Sequence, residues 1–554
     1  MRLIRLLAVA ALVTAAAEAQ WPPTIVSAVG NANDHALASL GANGINHNVY
    51  LAWAERVGDD LSRVMFCRSD DAGASWSTPQ QLAIEPGDPR PALLWFGALH
   101  VAWAGRDGLV DAQSGDDGAS FTITTVPGTA GTTMANIQMV VWGGICAVVR
   151  DRRDGQLLAV TQMLGSWHSA VLGHTDAEAP RLECLPSAYG AAVVTTWTDQ
   201  GRVMAATCEI AGSNPGTHWN VVQLSPQGRF PRAAVTLTSS LASATWLQSG
   251  LGIRYATRLG GGTWTAPVTM VAERTQDPSS EGCDPNQPFA FVSSNLNYPV
   301  FVWAWSCTHG SQRALFALSR DTGGRTNSRI RLNPGLGARD SSDLLPTLVF
   351  DDNTQHAVWL DRPSPSQARS VYHSHSVDHG LTWSLPKPLP TGSHDVDEPP
   401  VLTAMNKNVD VAWIGSSHGS VLLQAETVQG HHLYGHGTAD RRGIVPPVWV
   451  DNLVVPGNAF TVESSSSSRG PIYLLLSPGS GDTAIGSCGH LLVDLPTTRI
   501  WSPSEYSSGN AGFFFSVSST TLLGTEYFCQ AVIYDDNGCG FALTRGLAMR
   551  VTLP

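Results

Sequence analysis

Three Pro-Arg pairs, Pro89-Arg90, Pro180-Arg181 and Pro231-Arg232, recur along the chain, each just ahead of an apolar run. A guanidinium presents a planar fork of donors that matches a carboxylate bidentately, so three converging arginines would clamp an anionic ligand. The recurrence fits equally a repeat consensus in which each arginine pairs within its own unit, since a shared motif requires no shared ligand. Carboxylates suited to acid catalysis are Asp107, Asp199 and Asp361, each shortly after a Trp-ending run, where a solvated loop carboxylate is the plainer reading. Acidic residues also gather ahead of apolar runs, as Glu85 with Asp88, Asp176 with Glu178, Asp340 with Asp343, and Asp395 with Asp397 and Glu398. Hard oxygen donors of this kind suit calcium, but the spacing matches no defined loop and turn capping accounts for it. His431, His432 and His436 lack a carboxylate or cysteine at fixed spacing, and the nine cysteines show no paired CxxC, so no metal site and no cofactor is expected. His373 and His375 are two apart and share one face of a strand. Ser-His-Asp triads, P-loops and dinucleotide fingerprints are absent in usable form.

The elements that would position these groups are short strands. Apolar runs ending in tryptophan recur as Tyr50-Leu51-Ala52-Trp53, His100-Val101-Ala102-Trp103, Val194-Thr195-Thr196-Trp197, Ala244-Thr245-Trp246, Phe301-Val302-Trp303, Ala357-Val358-Trp359 and Val411-Ala412-Trp413, with a degenerate copy at Cys146 to Arg150. A spacing of about fifty residues reads as an array or a propeller. Between copies lie further apolar stretches, such as Ala135–Trp142, Leu157–Thr161 and Trp167–Leu172, giving four strands per unit and hence a propeller blade. Low charge, 14% of residues, and abundant glycine, 54 in 554, suit many strands joined by tight turns.

Three of the turns carry a specific motif. Ser69-Asp70-Asp71-Ala72-Gly73-Ala74-Ser75-Trp76, Ser114 to Phe121 and Ser376 to Trp383 match S-x-D-x-G-x-[ST]-[WF]; Ser319 to Gly323 is a decayed copy, and Gly261 to Trp264 keeps only the end of one. The chain thereby resembles the sialidase-like Asp-box, or BNR-repeat, β-propellers over residues 21 to 426. The resemblance implies structural roles for Asp71, Gly73, Trp76, Asp116, Gly118, Phe121, Asp378, Gly380 and Trp383, with the box joining third and fourth strands away from the mouth of the channel. It also implies a carboxylate clamp of three arginines at that mouth, for which Arg90, Arg181 and Arg232 are the candidates. Its F-R-I-P signature is missing, with Phe230-Pro231-Arg232 the nearest sequence, and its tyrosine nucleophile and glutamate base have only positional counterparts in Glu55, Glu183 and Tyr189.

Strand counting gives an all-β fold of eight blades, or seven if one weak copy is an insertion. The last blade, with strands near Val401, Val411 and Leu422, lacks an outer strand that Thr24-Ile25-Val26 would supply. Residues 1–19 read as a secretory signal peptide with a charged start, a short apolar core and Ala17-Glu18-Ala19. The propeller then spans 20–426, a polar linker 427–447, and a small β-sandwich 448–554, in which Asp536-Asn537-Gly538 marks a hairpin and Ser464 to Ser468 a loop. A secreted chain with a formal charge of −12 has no general attraction for nucleic acid, and no later run is long enough to insert in a membrane. The expected partner is a glycan or an extracellular protein, with hydrolysis of a terminal sugar or a purely structural role as alternatives; oligomeric state is left open.

Oxidising surroundings favour disulfides. Cys283 and Cys307 bracket the inner strands of one blade at the same end and are expected to bridge. Cys184 and Cys208 fall on the first and third strands of another blade, too far apart to do so.

Overall fold

The computed structural model describes residues 24–27, 31–42, 46–70, 75–87, 89–95, 97–129, 134–141, 145–151, 154–163, 166–175, 181–184, 192–209, 218–236, 241–259, 262–273, 282–283, 289–293, 300–309, 312–321, 325–327, 329–334, 346–351, 354–361, 368–376, 378–389, 395–396, 400–405, 408–417, 420–429, 431–434, 446, 448–450, 459–465, 471–485, 490–494, 496, 498–502, 505–507, 510–518, 521, 525–534 and 541–550. The signal-peptide segment lies outside them. No helix among the described residues is long and apolar enough to cross a membrane.

The chain is all-β. Antiparallel four-stranded sheets follow one another as blade 1 (31–86), blade 2 (92–125), blade 3 (134–174), blade 4 (181–225), blade 5 (229–271), blade 6 (289–331) and blade 7 (347–388). Blade 8 takes three strands from 401–429 and its outer strand from the N-terminus, Thr24 standing opposite Ala425 and Ile25 opposite Gln424. The first strand of each blade touches the first strand of the next, and that of blade 8 touches that of blade 1, which closes a ring.

Burial explains the sequence pattern. A middle strand has neighbouring blades on both faces, so it reads as a continuous apolar run; Leu99–Gly105 is buried at every position. The outer strand Thr122–Thr125 is exposed at every position and carries threonine instead. Each second-strand tryptophan packs onto the preceding blade: Trp103 against Tyr50 and Phe66 of blade 1, Trp303 against Ile253 and Tyr255 of blade 5, Trp413 against Val358 and Val371 of blade 7. Blade 3 has no tryptophan there. Trp167 of its outer strand joins the seam with blade 2 in its place.

The C-terminal module sets a sheet containing 431–434, 472–477, 526–534 and 546–550 against a second built from 448–450, 459–465, 505–507 and 510–516, around one core that includes Phe460, Ile472, Phe513 and Ile533. Two boundaries shift from the sequence reading. The third strand of blade 8 runs on to Gln429, and His431–Tyr434, read as linker, pairs with Gly546–Met549, Leu433 standing opposite Leu547 in the ladder. Ser464 and Ser465, read as loop, extend the strand from Ala459 and pair with Ala511 and Asn510. Strands 526–534 and 541–543 pair across the expected hairpin, whose turn residues lie outside the described set.

The cysteine expectations separate. Val193 stands between Cys184 on one side and Cys208 on the other, about 9 to 10 Å of sheet, which no disulfide spans. The Cys283–Cys307 bridge is absent, for no disulfide forms among the described cysteines. Both residues are buried in the seam of blades 5 and 6, but each is fixed by its own blade. The Cys283 amide donates to the Ala272 carbonyl at 3.0 Å and its Sγ lies 3.9 Å from the Val271 carbonyl, whereas Cys307 is held in the ladder opposite Ala314. Here the thiols act as small apolar filler.

Candidate functional site

Two faces of the ring differ in chemistry. One carries the turns between third and fourth strands. In blade 2, Ser114 Oγ donates to Asp116 Oδ1 at 2.7 Å and accepts from the Gly118 amide at 2.7 Å, while the Ser120 amide and hydroxyl donate to the two oxygens of Asp116 at 2.9 and 2.6 Å. Blade 7 repeats the lattice with Ser376, Asp378, Gly380 and Thr382, at 2.9, 2.8, 2.8 and 2.5 Å. Both turns pass through two consecutive left-handed residues, Asp117 and Gly118 at φ 56 and 86, His379 and Gly380 at φ 62 and 82. The glycine is required on two counts, since a Cβ on Gly118 would stand 2.6 Å from the Phe66 ring. Donated hydrogen bonds from Ser120 and Ser114 hold the Asp116 carboxyl down at about 2. For Asp378, burial pushes the other way, and bonds from the Thr382 hydroxyl and amide and from Ser376 outweigh it to leave its carboxyl below the usual range. In blade 6, Asp321 accepts from the Arg325 amide at 2.7 Å, a remnant of the same turn. The aromatic that ends each motif covers the preceding blade: Phe121 meets Phe66 edge-on at 5.0 Å, Trp76 packs with Ala412 and Ile414, and Trp383 with Ala304 and Leu315. Asp71 and Gly73 lie outside the described residues.

The opposite, upper face carries the turns between second and third strands and the connections from one blade to the next. Four of its described carboxylates hold partners. Glu55 accepts from the Trp53 indole at 2.7 Å and from Arg63 Nε at 2.6 Å. Glu85 crosses a seam to accept from the Trp103 indole at 3.0 Å and the Arg106 amide at 2.9 Å. Asp199 is paired with Arg202 at 2.5 Å, and Asp361, buried, accepts from Asn333 Nδ2 at 3.0 Å. Asn333 itself, missed in the sequence, also accepts from the Leu315 amide at 2.7 Å and donates to the Arg313 carbonyl at 3.2 Å. Asp107 is exposed beside exposed Arg106. Of the positional counterparts to a nucleophile and base, Tyr189 lies outside the described residues and the Glu183 side chain is likewise undescribed.

Register separates the three arginines. Arg181 stands opposite Thr196 and Arg232 opposite Thr245, each the residue before the blade's tryptophan. In blade 2 that place belongs to Ala92, opposite Ala102, so Arg90 stands two residues nearer the upper face. Its counterpart in blade 5 is Phe230, and the two share a left-handed backbone, φ 43 and φ 50. What repeats is a proline just ahead of that position, before the strand in Pro91-Ala92, Pro180-Arg181, Pro346-Thr347 and Pro400-Val401 and at a register shift within Arg229–Thr236 in Pro231-Arg232; the residue opposite the one before the tryptophan varies. Proline is tolerated at a strand's first residue because no ladder donor is lost there. Arg90 is exposed, and Arg232 lies over the Phe289 ring of blade 6 at 6.0 Å while donating to the Pro231 carbonyl at 3.1 Å. The Arg181 side chain is undescribed. Aligning on proline rather than on arginine would have exposed the mismatch in the sequence.

Among the described residues no group of three or more His, Cys, Asp or Glu side chains is placed to hold a metal ion. Of the acidic groups read as candidate cation ligands, Glu85 is the seam fastener above, and Asp88, Asp176, Glu178, Asp340, Asp343, Asp397 and Glu398 lie outside the described residues.

No protein-family model matches the chain, and no curated protein does. Solved structures that align with it include the BP39L lectin from Burkholderia pseudomallei, 16% identical over 65% of this chain and 99% of that one, with a TM-score of 0.42. Aleuria aurantia lectin, described as a six-bladed propeller, aligns at 12% identity over 53% of this chain and 92% of that one, with a TM-score of 0.32. The catalytic domain of a Coprinopsis cinerea GH62 α-L-arabinofuranosidase aligns at 11% identity over 45% and 90%, with a TM-score of 0.27.

Proposed function

We propose that this chain is a secreted, Asp-box-type propeller that binds a glycan through its upper face and does not hydrolyse it. The observation that carries the reading is the division of labour on that face. Among the described carboxylates of that face, Glu55 is held by Trp53 and Arg63, Glu85 by Trp103 and the Arg106 amide, Asp199 by Arg202, and Asp361 by Asn333, while Asp107 stands exposed. Exposed groups of that face include polar Arg90, Arg106 and Asp107 and apolar tips at Val57, Leu61 and Leu251. A sugar offers hydroxyls in the plane of its ring and C–H groups on its faces, and a surface of hydrogen-bonding groups among apolar patches complements both. The Asp-box assignment is supported by two turns that build one hydrogen-bond lattice between third and fourth strands.

A glycan array probed with residues 20–554, paired with fluorogenic sialoside, fucoside and arabinofuranoside substrates, tests the reading. Binding without turnover is expected. Turnover of any of the three would make the chain a glycosidase, and an array without hits would remove the glycan.

A further inference from the structure

Blade 7 carries a feature that binding does not use. His356, on the second strand, stands opposite His375 on the third, and His373 lies two residues along the same face. The three rings stack, with centroids 5.4, 6.1 and 5.8 Å apart and planes within 12 to 29°. His356 Nδ1 lies 3.1 Å from His373 Nε2, so one ring must donate and the other accept, and at most one of these two nitrogens carries a proton. Both residues are buried, and His356 Nε2 has no hydrogen-bond partner. Near-parallel rings joined head to tail do not converge their lone pairs on one point, which sets the cluster apart from a metal site.

The stack faces blade 8. Val358, Leu360 and Val371, on the same face of blade 7, pack with Val411 and Trp413, and blade 8 is the blade that the N-terminal strand completes. The described side chains that blade 8 turns toward the stack are apolar, whereas Asp410 lies on the other face of its strand; the side chains of 420–429 are undescribed. The first strand of blade 7 sets Val349 opposite His356, and the outer strand sets Lys387 opposite His373. Among the described residues, the charges acting on the buried rings are one another and Lys387, all of which oppose a further positive charge, and on the blade 8 face turned toward blade 7 the register sets Glu426 opposite Val411. Burial first, and these neighbours second, hold His356 and His373 well below the usual imidazole range.

We propose that the His356–His373–His375 stack is an acid-sensitive seam, at which protonation parts blade 7 from blade 8 and opens the ring beside its point of closure. The sign follows from linkage. An imidazole neutral when folded but free to protonate near 6.5 when unfolded leaves stability intact above about pH 6.5 and removes it as pH falls. Each such ring raises the unfolding constant about tenfold per pH unit below that point, and two rings about a hundredfold.

Hydrogen exchange of the intact wild-type chain at pH 7.5 and pH 5.0, corrected for intrinsic rates, tests the proposal without a variant. Peptides from 354–376 and 408–417 should lose protection at pH 5.0 while those of blade 3 keep theirs. Uniform behaviour of all blades would overturn it. In urea unfolding between pH 7 and 5, His356→Gln should flatten the dependence of the logarithm of the unfolding constant by about one unit per pH unit. An unchanged slope in a folded variant would also overturn it, and His373→Gln serves the same comparison if the first variant does not fold.

Discussion

Single residues decide the box turns. Replacing Asp378 by Ala removes acceptors for the Thr382 amide, the Thr382 hydroxyl and Ser376 together, and a loss of about 1 to 3 kcal/mol in chemical denaturation is expected. Gly118→Ala should cost a similar amount, about 1 to 3 kcal/mol, through left-handed strain and collision with Phe66. Neither should change glycan binding, since both turns lie on the face opposite the proposed site. Asp116 fixes an acid limit of its own. Its carboxyl is held below its unfolded value, so its contribution is present above about pH 4 and is lost as pH falls through about 2. A melting-temperature profile of Asp116→Asn against wild type should converge at that acid end. At this scale the box motif was legible because serine, aspartate, glycine and hydroxyl each have one geometric task in a tight turn. The Pro-Arg motif does not align the three arginines because its recurring part, in five of the eight blades, is the proline, and the residue beside it varies. The histidine stack was half visible as His373 and His375, but His356 is nineteen residues from His375 and meets it only through the register of the sheet.

At the scale of elements, the four-strand repeat could be read directly, since a strand covered on both faces is apolar throughout. In blade 3 the expected strands 135–142, 145–150, 157–161 and 167–172 fall within a residue or a few of Met134–Val141, Ile145–Asp151, Gln156–Met163 and Ser166–His174. His431–Tyr434 was not legible, because four residues at the end of a sheet are too short to show a period. Removing residues 21–30 should leave Ser420–Gln429 as a bare edge, the pairing with Thr24–Ser27 being gone, and lower the melting temperature or the solubility. A truncated chain that melts like the intact one would show that the ring is held without that strand. Trp303→Ala should cost about 3 to 5 kcal/mol, as it empties a fully buried place in the seam of blades 5 and 6.

For the whole molecule, the third strand of blade 8 runs away from the upper face and His431–Tyr434 follows almost at once, while Arg545 of the C-terminal module donates to the Asp70 carbonyl at the box-turn end of blade 1. Both observations put the described contact of the module on the box side, away from Arg90 and Asp107 on the upper face. The central claim, recognition of a glycan there without cleavage, is tested most directly by calorimetric titration of the leading array glycan into wild type, Arg90→Ala, Asp107→Ala and Leu385→Ser, with mass analysis of the glycan afterwards. The account predicts that Arg90→Ala and Asp107→Ala each weaken binding by about 10-fold or more, that Leu385→Ser on the box side leaves it unchanged, and that the glycan is recovered intact. Binding that survives both upper-face substitutions, or a glycan recovered one sugar shorter, would contradict it.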